Sequence, residues 1–327
     1  MDRENQQYKV GQERESLVHN VCNANIKGNG GGTYEQPKCH LLHHFNPFCI
    51  LGPFPIDVKQ YYPLRLSFID FYDEKEIDWM QKTSYEKISL TRSFGHINNN
   101  SPLEEITFKG VTQDKAITSY APIHQISDIR YDENEKYTLI SRKDEQPVYE
   151  SSQLRNPYAY TILHKILLRI SKRIEMATGL NVTTRHGSTE YSVSTNGLSG
   201  SLKSHVDPYG YEEGRKLRWL VRHLFRTGDY IATFMGWIDD TAAGGATAFI
   251  TKHYEGLLEP KKGSAAFWIN LSPSHFKDER SKHAGCPVLK GKKGIINKWI
   301  YSLDQWKQWP CKLGQNVTFS PFNGIVI

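Results

Sequence analysis

From Tyr191 to Tyr301 the chain is a succession of short apolar runs broken by turns containing Gly and Pro. Runs of strand length fall at Tyr191–Thr195, Lys203–Asp207, Tyr230–Ile238, Thr247–Thr251, Ala265–Ile269, Arg280–Ala284 and Ile295–Tyr301. Short strands at close spacing predict a sandwich or a barrel. The pair Gly244-Gly245 predicts a tight turn between two of them. One long helix comes before this region. Tyr160, Leu163, Ile166, Leu167, Ile170 and Ile174 recur at helical spacing, and Gly179 ends the pattern. Its single apolar stripe predicts a helix that buttresses the sheets from outside, giving an α+β fold.

Upstream the pattern is weaker. Residues 1–60 read as an N-terminal extension, with Gly28, Gly30, Gly31 and Gly32 marking a flexible stretch, and residues 61–327 as the main domain. Ordered structure is expected to begin near Pro63. Leu66, Phe68 and Phe71 suggest a strand, and Asp73 with Glu76 forms a capping box for a short helix that buries Ile77 and Met80. Ser84 to Asn156 is polar, with strand candidates at Glu105–Phe108 and Tyr137–Ser141. It reads either as a substrate lid or as a ragged surface.

The chemistry-bearing residues are Ser204-His205-Val206-Asp207 and, far downstream, His283. Residues two apart on a strand share a face, so His205 and Asp207 can grip one ion while Val206 points away. A third ligand from another strand completes two imidazoles and one carboxylate, a set that suits non-haem Fe(II) and leaves positions open. Lys293 lies shortly after His283 and precedes the apolar run Ile295 to Tyr301. On a neighbouring strand it enters the same cavity, where a buried ammonium needs an anion such as the far carboxylate of a dicarboxylic cosubstrate. The alternative is a solvated turn lysine, with Lys290 and Lys292 close by.

Four segments taken together are more specific. They are Gly244-Gly245-Ala246-Thr247-Ala248-Phe249, Pro260 to Leu271, His283-Ala284-Gly285-Cys286-Pro287-Val288-Leu289 and Asn297-Lys298-Trp299. In order and spacing they resemble the catalytic domain of collagen prolyl 4-hydroxylase alpha subunits, strongly from about Tyr191 to Cys311. The resemblance implies a double-stranded β-helix (jelly-roll) dioxygenase domain over residues 61–327, using Fe(II), 2-oxoglutarate, dioxygen and L-ascorbate. It implies His205, Asp207 and His283 as iron ligands, Lys293 as the partner of the 2-oxoglutarate C5 carboxylate, and Thr247 as a supporting hydroxyl. The implied reaction is hydroxylation of peptidyl proline to 4-hydroxyproline in collagen-like or other proline-rich chains, with release of succinate and CO2. Protein disulfide isomerase is an implied partner subunit.

The chain departs from that family at three places. Asn196 stands where the family has a Tyr that contacts the cosubstrate. Ser204 stands where it has Pro. The family's peptide-contacting loop has no clear counterpart near Ser141-Arg142-Lys143. Two other classes stay open: a zinc hydrolase built on the same three ligands, and a non-catalytic peptide-binding relative.

The five cysteines bear on compartment. The resemblance implies disulfides Cys286–Cys311 and Cys22–Cys39, with Cys49 left over. Paired cysteines suit the endoplasmic reticulum lumen or secretory pathway, although no secretory signal is visible at Met1; five reduced thiols remain the alternative. His40, His43 and His44 beside Cys39 fit no common zinc spacing. Sequons begin at Asn99, Asn181, Asn270 and Asn316, and Asn270, inside a predicted core strand, is expected to stay unmodified. Net charge is a modest +6. Arg215, Lys216, Arg218, Arg222 and Arg226 alternate with Leu217, Leu220, Val221 and Leu224 as a solvated helix face would, so no nucleic-acid partner is expected. No apolar run is long enough to span a membrane.

Overall fold

The computed structural model of the chain describes residues 54–85, 160–184, 186–197, 200–210, 224–251, 254–307 and 309, with Cys22 and the segments 38–42, 103–109, 125–132, 136–142 and 150–153. In chain order the first elements are β1 (Lys38–Leu42), β2 (Phe54–Gln60), β3 (Arg65–Phe68), helix α1 (Glu74–Tyr85), β4 (Leu103–Lys109), β5 (Gln125–Asp132), β6 (Lys136–Arg142), β7 (Glu150–Gln153) and helix α2 (Tyr160–Thr178). There follow β8 (Ser192–Asn196), β9 (Leu202–His205), β10 (Tyr230–Trp237), β11 (Thr241–Gly244), β12 (Thr247–Thr251), β13 (Tyr254–Leu258), β14 (Ala265–Ile269), β15 (His283–Gly285), β16 (Val288–Gly291) and β17 (Lys293–Tyr301). An eight-stranded sheet runs β1-β2-β3-β14-β10-β17-β8-β7, and a four-stranded sheet runs β13-β12-β15-β9. Strands β4, β6 and β5 form a separate three-stranded sheet, and β11 pairs with β16.

The large sheet buries both faces, for different reasons. On β10, Ala232 and Phe234 alternate with Met235 and Trp237. The first pair packs with Ile170, Ile174 and Ala177 of α2 and with Ile77 and Met80 of α1. The second pair packs with Phe249 and Leu258 of the four-stranded sheet. Helices therefore cover one face and the small sheet covers the other, leaving an interior between the two sheets. Gly179, at φ +69°, ends α2 in the left-handed region as expected.

The capping box on α1 is present: Glu76 N donates to Asp73 Oδ1 at 2.7 Å, and Asp73 N donates to Glu76 Oε2 at 3.2 Å. Glu76 is itself buried, and its carboxylate meets Arg169 at 2.9 Å and Arg173 at 2.8 Å, both from α2. One residue thus caps its own helix and ties it to the other.

Several expectations are corrected. Order begins earlier than Pro63, because β2 already pairs with β3 in the large sheet. The run Arg280–Ala284 is not one strand. Asp278 Oδ1 accepts from Arg280 N at 3.0 Å and caps a single 3-10 turn over Glu279–Ser281, so the strand starts at His283. Asp207 lies past the end of β9, which stops at His205. Pro208 follows it and has no backbone N–H to give, so the ladder does not continue through it. The polar stretch holds more strand than expected, with β5 and β7 beside the two candidates. Most of the basic stretch Arg215–Arg226 lies outside the described residues, as do Cys49, Cys311, Asn99 and Asn316.

The expected disulfide pairs are also corrected. Cys22 bonds to Cys286, with 5.6 Å between the Cα atoms. A cysteine joins one partner only, so neither Cys22–Cys39 nor Cys286–Cys311 is formed. The reason is spatial. Cys22 packs against Ala246, Ala248 and Ile250 on the four-stranded sheet, whereas Cys39 belongs to β1 at the edge of the large one. Peptide mapping without reduction is expected to recover a Cys22–Cys286 cross-link. Removing it is expected to cost roughly 2–5 kcal/mol of stability. Recovery of Cys286 joined to Cys311 would contradict the pairing.

Candidate functional site

The interior between the sheets is lined by register. In an antiparallel pair, residues directly opposite share a face. His283 lies opposite Phe249 of β12 and opposite His205 of β9. Thr247, two residues before Phe249, shares that face. Trp268 of the large sheet meets this surface, with its ring 5.4 Å from Phe249 and 4.9 Å from His283. On the large sheet Trp268 lies in register with Thr233, Thr233 with Trp299, and Lys293 with Asn196. Strand alternation from Trp299 back along β17 puts Asn297, Ile295 and Lys293 on that inner face.

His205, Asp207 and His283 present ligand atoms all within 4.8 Å of one another. Asp207 Oδ1 lies 3.6 Å from His205 Nε2 and 3.8 Å from His283 Nε2. The Nδ1 of His283 faces the Ser281 carbonyl at 3.0 Å. A carbonyl only accepts, so Nδ1 carries the proton and Nε2 keeps its lone pair toward Asp207. Burial lowers His283 to about 4, against the pull of Asp207, so the ring is neutral near pH 7. Burial alone would raise the Asp207 carboxyl; His283, His205 and the Thr233 hydroxyl outweigh it and bring it down to about 2. The neutral His283 ring, the ionised Asp207 carboxylate and the His205 imidazole beside them make up a donor set of the kind a divalent transition metal takes. The loop after Asp207 is pinned by Asp229, whose carboxylate accepts from Tyr209 N at 3.1 Å, Gly210 N at 2.8 Å and Tyr230 N at 2.8 Å.

Lys293 is 3% exposed. Its Nζ donates to Thr247 Oγ1 at 3.4 Å, and among the described residues no carboxylate pairs with it. Gly245, at φ +69°, lets the β11–β12 turn close over the lysine stem: a Cβ there would stand 3.4 Å from Lys293 Cδ and 3.0 Å from Thr241 Cγ2. Asn196 Oδ1, Asn297 Oδ1 and Trp268 Nε1 are buried with no hydrogen-bond partner among the described residues. A buried ammonium next to polar atoms without partners is the wall an anionic, oxygen-rich ligand would complete. The Asn196 amide can turn either way, so it can offer such a ligand its Nδ2. Lys290 and Lys292 are exposed, and Lys292 Nζ lies 3.7 Å from Asp239 instead.

Burial lowers the Lys293 ammonium from 10.5 to about 8. Between those values the unfolded chain holds a proton that the ligand-free folded chain has lost. Stability therefore rises with pH across that window, by about 3 kcal/mol from this group. Lys298, which burial lowers to about 7 on the helix side of the same strand, acts in the same direction. The test is thus a difference in chemical denaturation between Lys293→Met and wild type. The variant is expected to be the more stable below pH 8 and to lose that advantage by pH 10.5. Parallel curves would contradict it.

The structure brings together His205, Asp207, His283, Lys293, Thr247 and Asn196, all of which the sequence singled out. It adds Thr233 and Asn270, which were overlooked. Thr233 was the available signal, the one aliphatic hydroxyl in β10 and set among Ala232, Phe234 and Met235.

No protein-family model matches the chain. Over 150 residues it is 38% identical to prolyl 4-hydroxylase subunit alpha-1 of Gallus gallus, covering 46% of this chain and 27% of that protein. The curated relatives of this chain are prolyl 4-hydroxylase alpha subunits. Prolyl 4-hydroxylase subunit alpha-2 of Caenorhabditis elegans is 27% identical over 280 residues, which is 86% of this chain and 42% of that protein. The matched stretch thus spans less than half the length of these prolyl 4-hydroxylase subunits. Among solved structures, a viral collagen prolyl hydroxylase from Paramecium Bursaria Chlorella virus-1 in a 2OG complex aligns at a TM-score of 0.37 and 17% identity, over 64% of this chain and 100% of that one. A Pseudomonas putida prolyl-4-hydroxylase aligns at a TM-score of 0.30 and 9% identity, over 62% and 93%.

Proposed function

We propose that this chain is an Fe(II)- and 2-oxoglutarate-dependent prolyl 4-hydroxylase whose two facing sheets form a jelly-roll. The observation that carries the reading is one interior holding both a His-Asp-His cluster and a buried lysine that pairs with no carboxylate among the described residues. Sequence similarity to prolyl 4-hydroxylase alpha subunits supports it.

In this reading His205, Asp207 and His283 hold Fe(II). Lys293, with Thr247 beside it and Asn196 opposite, holds the far carboxylate of 2-oxoglutarate. When bound, these groups and dioxygen supply the oxidising chemistry: 2-oxoglutarate is split to succinate and CO2, and one oxygen atom enters the C4–H bond of a peptidyl proline. The chain's residues fix geometry and exclude water. His283 is wedged between Phe249 and Trp268, which close the inner side. His205 keeps a third of its side chain exposed, so the peptide enters from its side. L-ascorbate is the matching reductant, and the substrates are collagen-like or other proline-rich chains. The Cys22–Cys286 disulfide favours an oxidising compartment such as the endoplasmic reticulum lumen.

The test is succinate release from 2-oxoglutarate by purified protein with Fe(II), with and without a proline-rich peptide. Release is expected to rise several-fold with peptide and to stop with a chelator. Peptide cleavage supported by Zn(II) without 2-oxoglutarate would instead indicate a hydrolase. Peptide binding with no succinate would indicate a non-catalytic relative.

A further inference from the structure

The two oxygens of Asp207 are not equivalent. Oδ1 faces both imidazoles, at 3.6 Å and 3.8 Å. Oδ2 faces away and accepts from the Thr233 hydroxyl. Thr233 is in turn approached by Asn270 Nδ2 at 2.8 Å.

The direction of these bonds is dictated by proton count. An ionised carboxylate only accepts, and a threonine hydroxyl has one proton to give. Once that proton goes to Asp207, the third group must donate, so Asn270 presents its NH2 and not its carbonyl. Asn270 is held on both sides. Its backbone N–H donates to Ile231 O at 2.8 Å, and its backbone carbonyl accepts from Asp278 N at 2.9 Å. Thr233 is 1% exposed and Asn270 0%, so water does not compete. A β-branched side chain on a strand also has little freedom at χ1.

We propose that Thr233 and Asn270 are positioning residues that lock the Asp207 carboxylate so that Oδ1 alone is offered to the metal. The inference rests on the metal reading above. A carboxylate free to turn could give both oxygens to one ion and occupy a position the cosubstrates need. Partners of this kind behind metal ligands are typically worth 10–100-fold in metal affinity or activity.

The test uses the whole chain and Co(II) as the probe, with affinity read by titration and geometry by the visible absorption band. Thr233→Val keeps shape and removes the hydroxyl, and is expected to weaken Co(II) binding by about 10–100-fold and to shift the band. Thr233→Ser restores the hydroxyl and is expected to bind within a few-fold of wild type. Asn270→Ala is expected to weaken binding less than Thr233→Val. Combined with Thr233→Val it is expected to add nothing, because it acts through that hydroxyl. A merely structural role would lower the melting temperature of the metal-free variants and leave Co(II) affinity and spectrum unchanged, which would overturn the proposal. Thr233→Ala provides the same comparison if the valine variant folds poorly. A wild-type chain that binds no Co(II) would overturn the metal reading itself, an outcome distinct from wild-type binding that the variants do not weaken.

Discussion

Alanine at His205, Asp207 or His283 is expected to bring metal uptake and peptide-dependent succinate release down to the level of chelated protein. Each residue supplies one of the three donor atoms gathered within 4.8 Å. The three variants differ in what else they disturb. His283 packs against Phe249 and Trp268, so its loss also opens a hole in the interior. Asp207 anchors the Thr233 hydroxyl, and its removal leaves that donor buried without an acceptor. His205 is the most exposed of the three and the least bound into the core. His205→Ala is therefore the cleanest variant, expected to melt close to wild type in the metal-free state while losing turnover. Metal uptake and turnover that survive His205→Ala would remove that residue from the ligand set.

Lys293→Ala is expected to raise the apparent KM for 2-oxoglutarate by at least about a hundredfold. The lysine is buried and has Thr247 as its neighbour, so an anion meeting it there would form a charge-assisted pair away from water. Breaking such a pair by removing one partner costs roughly 3–5 kcal/mol, and each tenfold corresponds to about 1.4 kcal/mol. Lys293→Arg is expected to recover little, because a planar fork does not fit a pocket shaped for a point charge. Lys290 and Lys292 point to solvent, and Lys292→Ala is expected to change the KM only a few-fold. If Lys292→Ala proves severe and Lys293→Ala mild, the carboxylate is held elsewhere and the anion assignment fails.

Much of this arrangement is legible in the sequence where local pattern and tertiary demand agree. Helix α2 is marked by its apolar stripe and by Gly179, and both persist in the fold because the same stripe packs on the large sheet. Lys293 is a different case: beside Lys290 and Lys292 it reads as a turn lysine, and the family resemblance is what marked it as inward, where β17 in fact begins. What is not legible depends on partners distant in sequence. Asp207 was placed on a strand by its spacing from His205, but Pro208 and the grip of Asp229 on the following loop take it off the ladder. Asn270 reads as a sequon. Only its position beside Thr233, on the neighbouring strand, reveals it as a buried donor. The family resemblance implied two local cysteine pairs, and the observed bond joins residues 264 apart. Strand β2 does alternate, with Ile56 and Val58 buried and Asp57 between them, so this part of the pattern was there to be read.

The most direct measurement is the product itself. A Pro-Pro-Gly repeat peptide, incubated with the purified chain, Fe(II), 2-oxoglutarate and ascorbate, is read by mass spectrometry with fragmentation to locate the change. One added oxygen atom per modified proline is expected, identified as 4-hydroxyproline and absent without 2-oxoglutarate or with His205→Ala. A peptide recovered unmodified from a reaction in which the chain binds metal and 2-oxoglutarate, or oxygen found on a residue other than proline, would contradict it.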